Sequence, residues 1–153
     1  MKRRNEIAMT DAERNAYLRE AGSMALATID QEGYPHLVAM SFMVEDGVIY
    51  MTSFTKAQKV VNIRRNSKVA VMVDSGEVYA ELKGVMIRGD CELIEDPNQV
   101  FEKIKQIREF QNRTVNPSED AVLKERAQKR IILKITPRKI SSWDHTKLPP
   151  GVY

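Results

Sequence analysis

The stretch HLVAMSFMVEDGVIYMTS, residues 36–53, reads as two strands joined by a tight hairpin. A nearly continuous apolar run covers 36–44. A turn signal sits at Glu45–Gly47, and a second apolar run follows at 48–53. The same pattern extends outward on both sides. SMALATID (23–30) reads as a buried strand, with QEGYP as the turn before His36. KVAVMVD (68–74) is another strand, followed by a turn at SGE. VYAELKGVMIRGDCELIE (78–95) reads as one long strand. Its second half alternates, with Val85, Ile87, Cys91 and Leu93 on one side and Met86, Arg88, Asp90 and Glu92 on the other. Gly84 or Gly89 marks a bend or bulge. RIILKIT (130–136) is the last strand, and PRKISSWDHTKLPPGVY reads as a tail.

The helices are few and come in blocks. Thr10 and Glu13 stand in capping-box spacing before a helix that ends at Gly22. Asp96-Pro97 opens another, with Val100, Phe101, Ile104 and Ile107 as its apolar stripe. NPSEDAVLKERAQK is a third helical piece. A doubly wound sheet alternates strand and helix throughout, and this chain does not. Tight hairpins make the sheet antiparallel. The expected fold is mainly β (α+β): a small antiparallel six-stranded split β-barrel with flanking helices, since closure removes exposed edges.

The chain has 153 residues, 42% hydrophobic and 29% charged, which suits one soluble globular domain spanning 1–153. No apolar run reaches the ~20 residues of a membrane span, and MKRRNEIAMTDAERN lacks the apolar centre of a signal peptide. Cys91 is the only cysteine, which fits a reducing cytoplasm. The net charge of +3 and pI near 9.0 suit an anionic small ligand. They lack the dense basic stripe with aromatics that nucleic acid requires.

YMTSFTKAQKVVNIRRN (50–66) carries the chemistry. A strand ends among the hydroxyls Thr52, Ser53 and Thr55, and a helix is expected over Lys56–Arg65. Two readings stand side by side. Thr55 and Gln58 have capping-box spacing, which makes Thr55 a helix cap and the lysines a solvated surface. Alternatively the junction holds a phosphate. A helix N-terminus offers free N–H donors and a positive dipole end. Lys56 and Lys59, one turn apart, share a face. No P-loop or dinucleotide fingerprint is present.

This strand end, with Lys-x-x-Lys and VVNIRRNSKVAVMV, resembles the flavin-binding split-barrel family, which includes pyridoxamine phosphate oxidase and the deazaflavin-dependent reductases. ALATIDQEGYPHLVAMSF, LKGVMIRGDCELIEDP and the ending KISSWDHTKLPPGVY extend the resemblance over about 23–153. The Ser-Trp-Asp-x-x-Lys-Leu ending is similar to the coenzyme F-420 branch. The arginine-rich substrate motifs of pyridoxamine phosphate oxidase itself are not matched. The resemblance implies an oxidoreductase that uses F-420 or FMN to pass a hydride to a small conjugated substrate, with two cofactor sites at a homodimer interface. It places the phosphate near Ser53, Lys56 and Lys59, with Thr52 adding a hydroxyl. The ring would lie against Leu37, Val38, Met40 and Ser41, and Trp143 would close the slot from the partner chain. The alternative is a carrier of flavin, haem or tetrapyrrole without turnover.

Other residues have plainer readings. His36 is expected as a partly exposed structural histidine, and His145 lies beside Asp144. With two histidines and one cysteine, no metal site and no catalytic side chain is assigned. Cys91 is an inert core thiol, and Glu77, Glu81, Asp90 and Glu92 are solvated or paired. Trp143 either anchors the tail to its own barrel or meets the ring or interface. Tyr79 is a candidate for the dimer core. Lys2-Arg3-Arg4 and Arg64–Lys68 are solvated basic faces or contacts for an acidic cofactor tail.

Overall fold

The computed structural model describes residues 3–152, so Lys2 of the N-terminal basic cluster lies outside the described residues. Helices α1 (Arg3–Glu6) and α2 (Asp11–Glu20) precede strands β1 (Met24–Ile29), β2 (Pro35–Met40), β3 (Met43–Glu45) and β4 (Val48–Phe54). Helix α3 (Gln58–Arg65), β5 (Lys68–Ser75), β6 (Lys83–Ile94), α4 (Pro97–Phe110), α5 (Asp120–Ala127) and β7 (Arg130–Asp144) follow.

The sheet has seven strands in the order β2-β1-β5-β6-β7-β4-β3, where six were expected. The extra strand arises because the run 36–44 breaks at Ser41-Phe42 into β2 and β3, which lie at opposite edges. Six strand spacings in a flat sheet separate the edges by about 29 Å. The three Cα steps from Met40 to Met43 reach at most about 11 Å. The sheet must therefore curl until its edges are neighbours, which is the split barrel. All the strand pairings are antiparallel.

Inward-facing residues alternate along the strands. Leu26, Val69, Val71, Val85, Ile87, Cys91, Ile131, Leu133 and Ile135 form the main core with Ile49 and Met51. Burial pushes the Cys91 thiol up to about 12, as an inert core thiol requires. A second core lies outside the barrel. Val100, Phe101, Ile104 and Ile107 of α4, with Leu123 and Ala127 of α5, pack on Met43, Tyr50 and Ile132. Strand β4 and the first half of β7 are thus covered on both faces, which explains the apolar runs there.

Local signals hold where they close within a few residues. The α2 capping box forms, with Glu13 N–H donating to Thr10 Oγ1 at 3.2 Å and Thr10 N–H donating to Glu13 Oε2 at 2.7 Å. Asp96 caps α4 through Gln99 N–H at 3.0 Å. Asp46 (φ 50°) and Gly47 (φ 79°) make the hairpin turn with both central residues left-handed.

Two expectations are corrected. The long strand begins only at Lys83, because Tyr79–Glu81 forms a 3-10 turn. The tail from Pro137 to Asp144 is the second half of β7, where Lys139–Asp144 pair with Arg88–Lys83. A register shift beside Gly89 interrupts its period, which hides the strand from a sequence reading. A Cβ on Gly89 would stand 2.5 Å from the Thr136 carbonyl oxygen. Gly84 has a different duty, because Trp143 opposite it lays its ring over the bare backbone. A Cβ there would stand 2.1 Å from the indole. Trp143 is therefore an anchor of β7 on β6 within its own chain.

Gly84→Ala should displace the indole and destabilise the fold by about 1–3 kcal/mol, as overpacking does. Thermal unfolding measures the loss. The emission of the sole tryptophan should shift to the red. An unchanged melting temperature and spectrum would show that the ring does not rest on this glycine.

Candidate functional site

Helix α3 starts at Gln58, two residues later than expected. Its N-cap is Ala57, which has no side-chain cap bond. The Thr55–Gln58 capping box does not form. The Thr55 N–H donates instead to the Lys129 carbonyl at 3.2 Å, continuing the β4–β7 edge. Lys56 therefore lies in the turn before the helix and does not share a helical face with Lys59.

The helix is held from below. Val60 and Ile63 enter the main core, and Asn62 between them is fully buried. The Asn62 amide donates to Thr28 Oγ1 at 3.0 Å and accepts from Gln58 Nε2 at 2.8 Å. This polar bridge fixes α3 against β1 and sets where its N-terminus points. His36 pairs with Thr28 across β1–β2. Its ring is half-buried, with Nδ1 enclosed and unpartnered.

Ser53 and Thr52 point to opposite faces of β4, as neighbours on a strand must. Ser53 is buried and its hydroxyl donates to the Phe54 carbonyl at 3.2 Å. Thr52 faces α4 and α5, and its Oγ1 is enclosed without a partner. On β2, Leu37 is 68% exposed, whereas Met40 is buried and Val38 packs on the core. Ser41 is exposed at the crossing to β3.

Lys59 is the electrostatic centre of the junction. Burial lowers its pKa, and the charge of Arg130 adds to the effect. Arg130 is lowered by burial and by Arg126, and its guanidinium lies 3.6 Å from the centre of the Phe54 ring. Among the described residues, none of Lys56, Lys59, Arg126 and Arg130 forms an ion pair. An uncapped helix end, a half-buried lysine and Arg130 thus gather positive charge, with no ion pair to a carboxylate among the described residues. That arrangement can bind an anion. Arg126 and Arg130 escape a sequence reading because they arrive from the far end of the chain. Asn62 left a signal, a polar residue within the apolar side of α3.

Away from this end, the outward residues of β2, β1 and β5, such as Leu37, Ala39, Ala25, Ala27 and Met72, are exposed or half-buried. Leu37, Ala27, Ala70, Arg88 and Lys139 form one cross-strand row; Ala39, Ala25, Met72 and Met86 form the next. The first row borders a shallow concavity of about 630 Å³. Tyr79 is half exposed and its ring centre lies 4.5 Å from that of His145. Asp90 and Glu92 pair with Arg138 and Lys134. The path along β7 from Arg130 to Trp143 is roughly 40 Å, so the structure does not bring Trp143 to Lys59 along the chain.

The sequence profile of the pyridoxamine 5'-phosphate oxidase family matches residues 10–144. No curated protein matches the chain. Among solved structures, a conserved hypothetical protein of Mycobacterium tuberculosis is 32% identical, with a TM-score of 0.88 over 100% of this chain and 97% of the other. An F420 reductase is 25% identical, with a TM-score of 0.65 over 83% of this chain and 94% of the other. HutZ, a haem storage protein from Vibrio cholerae, shares the fold at 16% identity and a TM-score of 0.66, over 86% and 94% of the two chains.

Asn62→Ala should leave the Thr28 hydroxyl and the Gln58 amide without partners, at a cost of about 1–3 kcal/mol. The urea midpoint should fall with an unchanged slope. A midpoint equal to wild type would remove the bridge from the account of how α3 is held.

Proposed function

We propose, for a chain that belongs to the pyridoxamine 5'-phosphate oxidase family, a homodimeric two-electron oxidoreductase that holds F-420 or FMN and reduces or oxidises a small conjugated organic molecule. The observation that carries this reading is the unpaired positive charge at the uncapped start of α3, centred on Lys59. A phosphate there would offset the mutual repulsion of Lys59 and Arg130 and fill the open N–H positions of the first turn. Lys56, one residue before the cap, adds a second cation from the turn.

The division of labour follows from the residues present. When bound, the reduced cofactor supplies a hydride to a conjugated acceptor such as an enone or quinone. Lys59, Lys56 and the α3 N–H groups hold the phosphate, and Ser53 lines the base of the same strand end. Leu37 and Ala39, the outward residues of β2, would give the ring an apolar backing, and Ser41 just beyond the strand would add a hydroxyl, whereas Val38 and Met40 turn to the core. The protein's part is to position and to exclude water. The proton that completes the reduction comes from solvent, since no side chain is assigned as acid.

The exposed outer face supports the dimer in this reading. Ala25, Ala39, Met72 and Met86 of its second row form an apolar strip that a second copy would cover. A ring held near β2 would then meet Trp143 of the other chain. Similarity to the F420 reductase favours F-420 over FMN. A carrier without turnover is the competing reading, and exposure of the reduced, loaded protein to a broad panel of acceptors separates them. Oxidation by at least one acceptor supports the enzyme; inertness to all supports the carrier.

Two measurements test the site. Lys59→Ala should weaken FMN or F-420 binding by roughly 10- to 150-fold in calorimetric titration, the worth of one charge-assisted hydrogen bond. Riboflavin affinity should change little. Binding of the phosphorylated ligand should also weaken as pH rises through the lowered pKa of Lys59, because only the charged amine attracts the phosphate. Equal FMN affinities in wild type and variant would remove the phosphate from this position. In sedimentation equilibrium at micromolar concentration the chain should run as a dimer. A monomer would leave Trp143 without a route to the ring.

A further inference from the structure

His36 and Thr28 stand directly opposite each other on the inward face of the β1–β2 pair, in line with Val38 and Leu26 and then Met40 and Met24. Opposed residues of an antiparallel pair hold their Cβ atoms about 4.5–5.5 Å apart. That separation puts a hydroxyl and a ring nitrogen within reach of each other. Two hydrogen-bonding capacities are open at this point. Thr28 is fully buried and its Oγ1 accepts from Asn62 Nδ2 at 3.0 Å, yet among the described residues its own proton has no acceptor. The His36 Nδ1 is enclosed and has no partner either. Buried polar atoms without partners are rare, and here each would complete the other.

A bond from Thr28 to His36 sets a direction through four residues. With its proton given to the imidazole, Thr28 turns its lone pairs to Asn62. Asn62 must then present its NH2 group to Thr28, which leaves its Oδ1 to accept from Gln58 Nε2 at 2.8 Å. Gln58 is the first residue of α3. In the opening Gln-Lys-Val-Val of that helix it is the one side chain with an acceptor for the helix's own N–H groups. Bonded one turn further along at Asn62, it is drawn away from the helix start, and the first-turn N–H groups stay open. We propose that His36 is a positioning residue for this end of α3: as the neutral imidazole with its proton on Nε2, it accepts the Thr28 hydroxyl at Nδ1 and so fixes the direction of the Thr28–Asn62–Gln58 relay. A proton on Nδ1 would instead aim a second donor at Thr28 Oγ1 and leave the threonine proton without an acceptor. The tautomer stands on the geometry alone. The effect on a ligand rests on the reading that a phosphate sits at the start of α3.

Nitrogen-15 NMR of the imidazole rings at pH 8 tests the relay in the wild-type protein. The chain has two histidines, and His36→Asn assigns their signals. His36 should show a single tautomer with the proton on Nε2, and Thr28→Val, which keeps the volume, should move the Nδ1 resonance. A proton on Nδ1, a mixture of tautomers, or an Nδ1 signal unmoved by Thr28→Val overturns the proposal. Calorimetric titration with FMN or F-420, whichever the wild type binds more tightly, tests the positioning. His36→Leu should weaken binding ~5-fold, the worth of one neutral hydrogen bond. His36→Asn, which keeps an acceptor near the place of Nδ1, should restore most of the affinity. Far-UV circular dichroism checks that each variant is folded. The affinity for the same ring without its phosphate, riboflavin in the case of FMN, should not follow, which separates a displaced helix end from general damage to the barrel. A loss in Lys59→Ala with none in His36→Leu overturns the positioning role and leaves the phosphate in place. A loss in neither removes the phosphate from this position, and the positioning role with it.

Discussion

Strands at the two edges of the sheet are separated in the chain by Ser41 and Phe42 alone. Two residues cannot span a flat sheet of seven strands, and every larger feature follows from that shortage of length. The sheet curls, its inner face becomes the main core, and the outer faces of β4 and β7 become available to α4 and α5. The crossing is itself pinned. Phe42 is buried with its ring centre 5.9 Å from that of Phe110, and Gln111 Nε2 donates to the Phe42 carbonyl at 3.4 Å. The end of α4 thus locks the point at which the barrel closes. That lock also gives β4 two different environments, with Ser53 on the α3 side and Thr52 on the α4/α5 side.

The chain's mild net charge of +3 says little about where an anion would bind. Many of the acids are matched elsewhere: Asp90 by Arg138, Glu92 by Lys134, Glu13 by Lys147 and Asp144 by Lys83. At the end of β4 where Arg130 enters β7, Lys56, Lys59 and Arg130 form no ion pair among the described residues. A helix begins there without a cap, and cations at a helix N-terminus oppose its dipole. A fold stabilised only by its own contacts would place an acid at such a point. Local imbalance, set by which cations the topology gathers, is therefore the property that points to ligands.

What was legible in the sequence follows from how far each interaction reaches. The Thr10–Glu13 box, the Asp96-Pro97 start and the Asp46-Gly47 turn close within four residues, and all three form. The Thr55–Gln58 box has the same spacing and does not form, because the Thr55 N–H is taken by Lys129, far along the chain. The break at Ser41-Phe42 could not be read either, since an apolar run looks the same whether it stays in one strand or crosses between sheet edges. Lys59 and Ser53 were chosen together from the strand end and the Lys-x-x-Lys spacing, and their joint role belongs to the proposed function. Arg130 was not legible, for it reaches Lys59 only through the β4–β7 pairing, and the Thr52 side chain was placed beside Ser53 although the pleat of the strand turns it to the other face.

Trp143 shows how a correction in the fold changes the meaning of a residue. As part of a loose tail it could have swung over its own barrel. As a paired position of β7, seated on Gly84, it is fixed, and the strand path carries it away from Lys59. A fixed indole at the rim of an uncovered apolar face serves its own chain as an anchor and offers a neighbouring chain a rigid wall. The two readings of Trp143 thus cease to compete: the contact with Gly84 that holds it in place is what would let it be positioned for a partner.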